Sequence, residues 1–89
     1  MKFIMNSNAI KAETPKALLI KLPGSELCFW HPKRFCHVFG KSNYGLSVWF
    51  GDASWQIKAE RRGKSGDVLE SLESSAGQVA KSYNITTEE

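Results

Sequence analysis

Two stretches flanking a four-residue turn alternate apolar and polar residues with the period of a β-strand. Residues 44–50 put Tyr44, Leu46, Val48 and Phe50 on one side and Gly45, Ser47 and Trp49 on the other. Residues 55–60 put Trp55, Ile57 and Ala59 on one side and Gln56, Lys58 and Glu60 on the other. Strand side chains point alternately to opposite faces, so runs of this kind decide which residues enter a core. Folded about Gly51-Asp52-Ala53-Ser54, they predict a hairpin pairing Phe50 with Trp55, Val48 with Ile57 and Leu46 with Ala59. Tyr44 would then face Arg61. Trp49 breaks the pattern, as a large aromatic on the polar face beside Gln56 and Lys58.

The flanking sequence predicts further short strands. Residues 1–15 have no strong period and end at Pro15; they are expected as a flexible or loosely docked arm, with an edge strand at 2–5. Residues 16–22 and 26–30 read as a hairpin about Pro23-Gly24, pairing Ile20 with Leu27, Leu18 with Phe29 and Lys21 with Glu26. His31-Pro32-Lys33-Arg34 interrupts the ladder, because proline has no donor and keeps the preceding residue extended. A strand at 35–39 follows. A turn at Gly40-Lys41-Ser42-Asn43 would pair Phe39 with Tyr44 and set Arg34 opposite Trp49.

After the basic, glycine-containing stretch Arg61–Gly66, Asp67 and Glu70 have the spacing of a capping box. Val68, Leu72, Ala76, Val79 and Tyr83 recur at helical intervals, so the reading is a helix over about 67–83, closed by Asn84. Residues 85–89 would be a frayed tail. The expected architecture is α+β and mostly antiparallel. Five short strands would form a small partly open barrel or twisted sheet, SH3-like or OB-like in general shape, with one C-terminal helix. Residues 16–84 would form a single domain.

A chain of 89 residues suits one modest core, which its five Phe, three Trp and two Tyr help to fill. The net charge of +3 is unevenly spread. Residues 1–66 carry eleven Lys or Arg against four acids, while residues 67–89 carry one Lys against five acids. A basic body attracts nucleic acid or an acidic protein. No apolar run has the length of a signal or a membrane span, and two cysteines fit reduced thiols, so a cytoplasmic protein is expected.

Cys28, His31, Cys36 and His37 contain the right atoms for zinc, but form one tight group rather than two separated ligand pairs, and Cys36 and His37 point oppositely on a strand. No metal and no other cofactor is expected. Cys–His catalysis would need a thiolate, a base in reach and an oxyanion hole, none implied by a motif. Gly63-Lys64-Ser65-Gly66 lacks the spacing of a phosphate loop. The protein is therefore expected to be a binding protein and not an enzyme. The expected surface groups Trp49 with Arg34, Gln56 and Lys58, and Arg61, Arg62 and Lys64 extend it. Cationic grooves with aromatic platforms bind single-stranded nucleic acid, because every base offers a face for stacking. The alternative is a protein-interaction module, such as a small inhibitor or accessory subunit, anchored by an exposed tryptophan.

Overall fold

A computed structural model describes residues 1–40 and 45–88. Among these are nine strands and one short helix. They are β1 (Lys2–Met5), β2 (Ile10–Glu13), β3 (Ala17–Lys21), β4 (Cys28–Pro32), β5 (Cys36–Phe39), β6 (Gly45–Trp49), β7 (Gln56–Arg62), β8 (Val68–Ser75), α1 (Ala76–Ser82) and β9 (Thr86–Glu88). Every strand pairing is antiparallel. The strands form two open sheets, ordered β5-β6-β1-β9 and β2-β3-β4-β7-β8. Phe3, Met5, Leu46 and Val48 from the first sheet join Leu18, Ile20, Phe29, Ile57 and Ala59 from the second in one buried cluster.

The predicted hairpin of residues 44–50 and 55–60 does not form. Its alternation is right: Leu46, Val48, Phe50, Ile57 and Ala59 are all buried. Its pairing is wrong, because β6 belongs to one sheet and β7 to the other. Phe50 donates its N–H to the Met1 carbonyl at 2.8 Å instead of pairing with Trp55. Backbone on the far side of the turn serves the helix: Ala76 N–H donates to the Trp55 carbonyl at 2.7 Å and Gly77 N–H to Ala53 at 2.9 Å. The turn is thus a crossover between sheets, although the Phe50 and Trp55 rings still meet edge to face. Tyr44 and the turn residues Lys41, Ser42 and Asn43 lie outside the described residues.

The expected N-terminal arm is the largest correction. Residues 2–5 form β1, which sits between β6 and β9 rather than at an edge, with Phe3 fully buried. The frayed tail is corrected with it, since Thr86–Glu88 is the ladder partner of β1 and Glu88 lies 3.1 Å from the Lys2 ammonium. Both segments are too short to show a period by themselves.

Residues 68–75 are strand, not helix. Val68–Ser75 pairs with β7, setting Glu73 opposite Lys58 and Glu70 opposite Arg61. Cross-strand opposite charges favour this ladder, and a strand-length partner was already in place. Asp67 closes the hairpin turn, its carbonyl accepting from Gly63 N–H, with Gly66 at φ +87°. The helix begins at Ser75, whose hydroxyl accepts from Gln78 N–H at 3.3 Å. It ends where expected, at Asn84, which adopts φ 57°. The Ile85 N–H then returns to the Ala80 carbonyl at 2.9 Å. The apparent stripe joined two periods: Ala76 and Val79 are helical and Tyr83 caps the helix, whereas Val68 and Leu72 belong to the strand.

The first hairpin is right in its faces and two residues off in its register. Ile20 pairs with Phe29 and Leu18 with His31, about a four-residue loop. Leu22 donates to the Leu27 carbonyl at 2.9 Å, so both leucines are buried. A tight turn at Pro23-Gly24 would have put Leu22 opposite Ser25 and lost that apolar pair.

Candidate functional site

The second sheet has an inner and an outer face. Its inner rows run Ile20, Phe29 and Leu18, His31 into the core. Its outer face carries Leu19 and Trp30 as a direct cross-strand pair. β4 joins β7 through Cys28 and Glu60, and the same antiparallel register brings Lys58 beside Trp30. Leu19, Trp30, Lys58, Arg61 and Arg62 accordingly line one surface depression. The Trp30 indole is 52% exposed. On its other flank it shares an apolar cleft with Pro15, Lys16, Pro32, Lys33 and Arg34.

The expected group of Trp49, Arg34, Gln56 and Lys58 is therefore divided. Gln56 and Lys58 lie on the Trp30 sheet, and Trp49 on the other. The register of β5 on β6 is also one residue from that expected: Phe39 pairs with Gly45 and Cys36 with Val48. Arg34 then falls in the 3₁₀ turn Lys33–Phe35 instead of opposite Trp49. The Phe39 ring lies over Gly45, where any Cβ would meet it at 2.3 Å, so glycine permits this pairing. Arg34 and Trp49 are nonetheless brought together by the fold. They line a separate slot with Phe35, Phe50, Gly51 and Trp55. The Arg34 guanidinium stands 4.8 Å from the Phe35 ring, and the Lys2 ammonium 4.5 Å from the Trp49 ring.

The cations differ in how free they are. Arg61 pairs with Glu70 at 3.4 Å and Arg62 with Glu60 at 3.0 Å. Lys33 is held by Glu13. Lys16, Arg34, Lys58 and Lys64 make no ion pair with a described residue. Sequence reasoning placed Trp30 at the end of the strand 26–30 but missed it as a sheet-face aromatic. The available signal was its alternation with Phe29 and His31, whose bulk identifies the opposite face as the core.

His31 links the two aromatic regions. It is buried among the rings of Phe29, Phe35, Phe50 and Trp55, with centroids 4.7–6.2 Å away. Its Nε2 lies 2.6 Å from the Trp49 carbonyl. A carbonyl only accepts, so Nε2 carries the proton. Burial holds the imidazole pKa below its ordinary value, favouring the neutral ring, against an opposing effect of that hydrogen bond. The backbone of Trp49 is thereby fixed to the residue after Trp30.

The cysteines and histidines do not converge. Cys28 is on the second sheet and Cys36 on the first. Among the described residues, no three His, Cys, Asp or Glu side chains are grouped to hold a metal ion. Burial raises the Cys36 thiol to about 11 and also raises Cys28. Both therefore stay protonated at neutral pH, unlike an activated nucleophile. Among the described residues no helix is long and apolar enough to cross a membrane. No family model, curated protein or solved structure matches this chain.

Proposed function

We propose that the protein is a non-enzymatic module that binds single-stranded nucleic acid on the outer face of its second sheet, with Trp30 as the stacking platform. The observation that carries this reading is a half-exposed tryptophan flanked by cations that make no ion pair with a described residue, Lys16 and Arg34 on one side and Lys58, which stands across the ladder from Glu73, on the other. Phosphates would meet these cations while bases stack on Trp30, a combination that tolerates any base sequence. The site is the counterpart of the one expected around Trp49, moved to the face where Lys58 and Gln56 stand. Glu26 and Glu60 line the same depression, and Arg61 and Arg62 are held in ion pairs, so the affinity is expected to be modest and its salt dependence set by the few remaining cations.

Fluorescence anisotropy with a labelled oligothymidylate at low salt tests the proposal. Trp30→Ala should weaken binding by about 1–3 kcal/mol. Lys58→Ala and Lys16→Ala should weaken it and flatten the salt dependence, because fewer counterions are released. Unchanged binding in all three variants would sink the reading.

A protein-interaction role has its own supporting observation. β8 is an eight-residue edge strand with Val68 46% and Leu69 55% exposed, and its free backbone groups suit strand addition by a partner. That reading gains if no oligonucleotide binds at low salt.

A further inference from the structure

We infer that the slot beside Trp49 and Trp55 is a second base-binding station, so that a bound strand passes from Trp30 over Arg34 to Trp49; this rests on the reading of Trp30 as the first station. The slot has a volume of about 460 Å³, within the range of small-ligand clefts. Its walls are aromatic, from Phe35, Trp49 and Trp55, and its one charged lining residue is Arg34. A planar, apolar-faced group carrying a nearby negative charge matches that lining, and a nucleotide has both features.

Continuity is what makes this a track rather than two isolated sites. The depression holding Lys58 and the cleft holding Lys16 share Trp30. The cleft and the slot share Arg34. Aromatic and cationic groups therefore alternate along one surface: Lys58, Trp30, Lys16 with Arg34, then Trp49 with Trp55. Arg34 makes no ion pair with a described residue, so its guanidinium is available to a phosphate between the two stations. The stations also keep a fixed relation, because the His31 imidazole ties the Trp49 carbonyl to β4. Lys2 stands over the Trp49 ring and adds positive charge at the far end of the track, although Glu88 pairs with it.

Strand length separates the stations. Wild-type protein and the Trp30→Ala, Trp49→Ala and Arg34→Ala variants would be titrated with oligothymidylates of about three and about ten nucleotides at low salt. All three side chains are exposed, and circular dichroism and urea midpoints confirm that each variant folds. The expected result is that the wild type binds the longer strand roughly ten-fold or more tightly than the shorter, beyond the statistical gain of extra sites. Trp49→Ala should remove that gain and leave short-strand binding nearly unchanged. Arg34 flanks both stations, so Arg34→Ala should remove the gain and weaken short-strand binding as well, and Trp30→Ala should weaken both. Short-strand binding without a length gain, or a length gain that survives Trp49→Ala, would overturn the second station while the Trp30 reading stands. Loss confined to Trp49→Ala, with Trp30→Ala silent, would keep the slot and overturn the Trp30 platform. Binding of neither strand would overturn both and leave a protein partner as the occupant.

Discussion

His31 is the residue whose chemistry is most altered by the fold. It sits in an aromatic cage, and its hydrogen bond to the Trp49 carbonyl joins the two sheets. Burial lowers its pKa relative to the unfolded chain, where an imidazole titrates near about 6.5. Between the folded and unfolded values the unfolded chain binds more protons, so stability rises with pH there. The contribution is complete above about pH 6.5 and is lost as pH falls from there through the folded value. The urea midpoint should therefore be lower at mildly acidic pH than at pH above neutrality, and His31→Phe should flatten that difference. A His31→Phe protein with the same acid sensitivity as wild type would place the effect elsewhere. Asp52 titrates in a different window: hydrogen bonds from the Ser54 hydroxyl and backbone hold its carboxyl below the ordinary carboxylate range.

At the scale of elements, the boundary between β8 and α1 depends on one hydroxyl. Ser75 ends the strand opposite Gln56 and caps the helix through Gln78 N–H. A helix of seven residues cannot nucleate on its own, so its cap and its buried Ala76, Val79 and Ala80 sustain it. Ser75→Ala should cost about 0.5–2 kcal/mol in urea denaturation. Asp67→Ala, which removes no helix cap, should cost less than Ser75→Ala. Its carboxylate accepts the Ser65 hydroxyl at 3.0 Å, in an exposed turn. The reverse ranking would mean that the helix starts at Asp67 after all. At Gly66, φ of +87° makes Gly66→Ala destabilising by about 1 kcal/mol or more.

At the scale of the molecule, the chain ends carry as much of the fold as its middle. β1 pairs with β6 and with β9, so one sheet draws on residues from both ends and the centre of the sequence. Such pairings must close long loops before they are rewarded, and folding should take on the order of milliseconds to seconds in stopped-flow refolding. Phe3 lies in the core with its ring 4.5 Å from that of Phe50. Phe3→Ala should cost about 3–5 kcal/mol. In a domain of this size that is comparable with its whole stability, so the variant should be largely unfolded by circular dichroism. A stable Phe3→Ala protein would show that β1 is loosely docked, as its sequence suggests.

What the sequence determined by itself was local: which residues of β3, β4, β6 and β7 face inward, that Pro23-Gly24 and Gly51–Ser54 are turns, and that Asn84 ends a helix. Alternation is a property of a strand alone, and Leu46, Val48, Ile57, Ala59, Leu18 and Ile20 followed it into the core. Pairing is a property of two strands, and only the tertiary structure decided it. Phe50 had two apolar partners of equal local merit, Trp55 across a turn and Met1 from the start of the chain, and the ladder with β1 won. Residues 68–75 matched a helical stripe as well as a strand until β7 offered Lys58 and Arg61 to their glutamates. The candidate site was fragile for the same reason. A one-residue slip between β5 and β6, and the separation of β6 from β7, parted Gln56 and Lys58 from Trp49 and set Lys58 beside Trp30. Composition specified a basic, aromatic surface; sheet assignment, set by non-local backbone hydrogen bonds that no single segment encodes, selected which aromatic the cations surround.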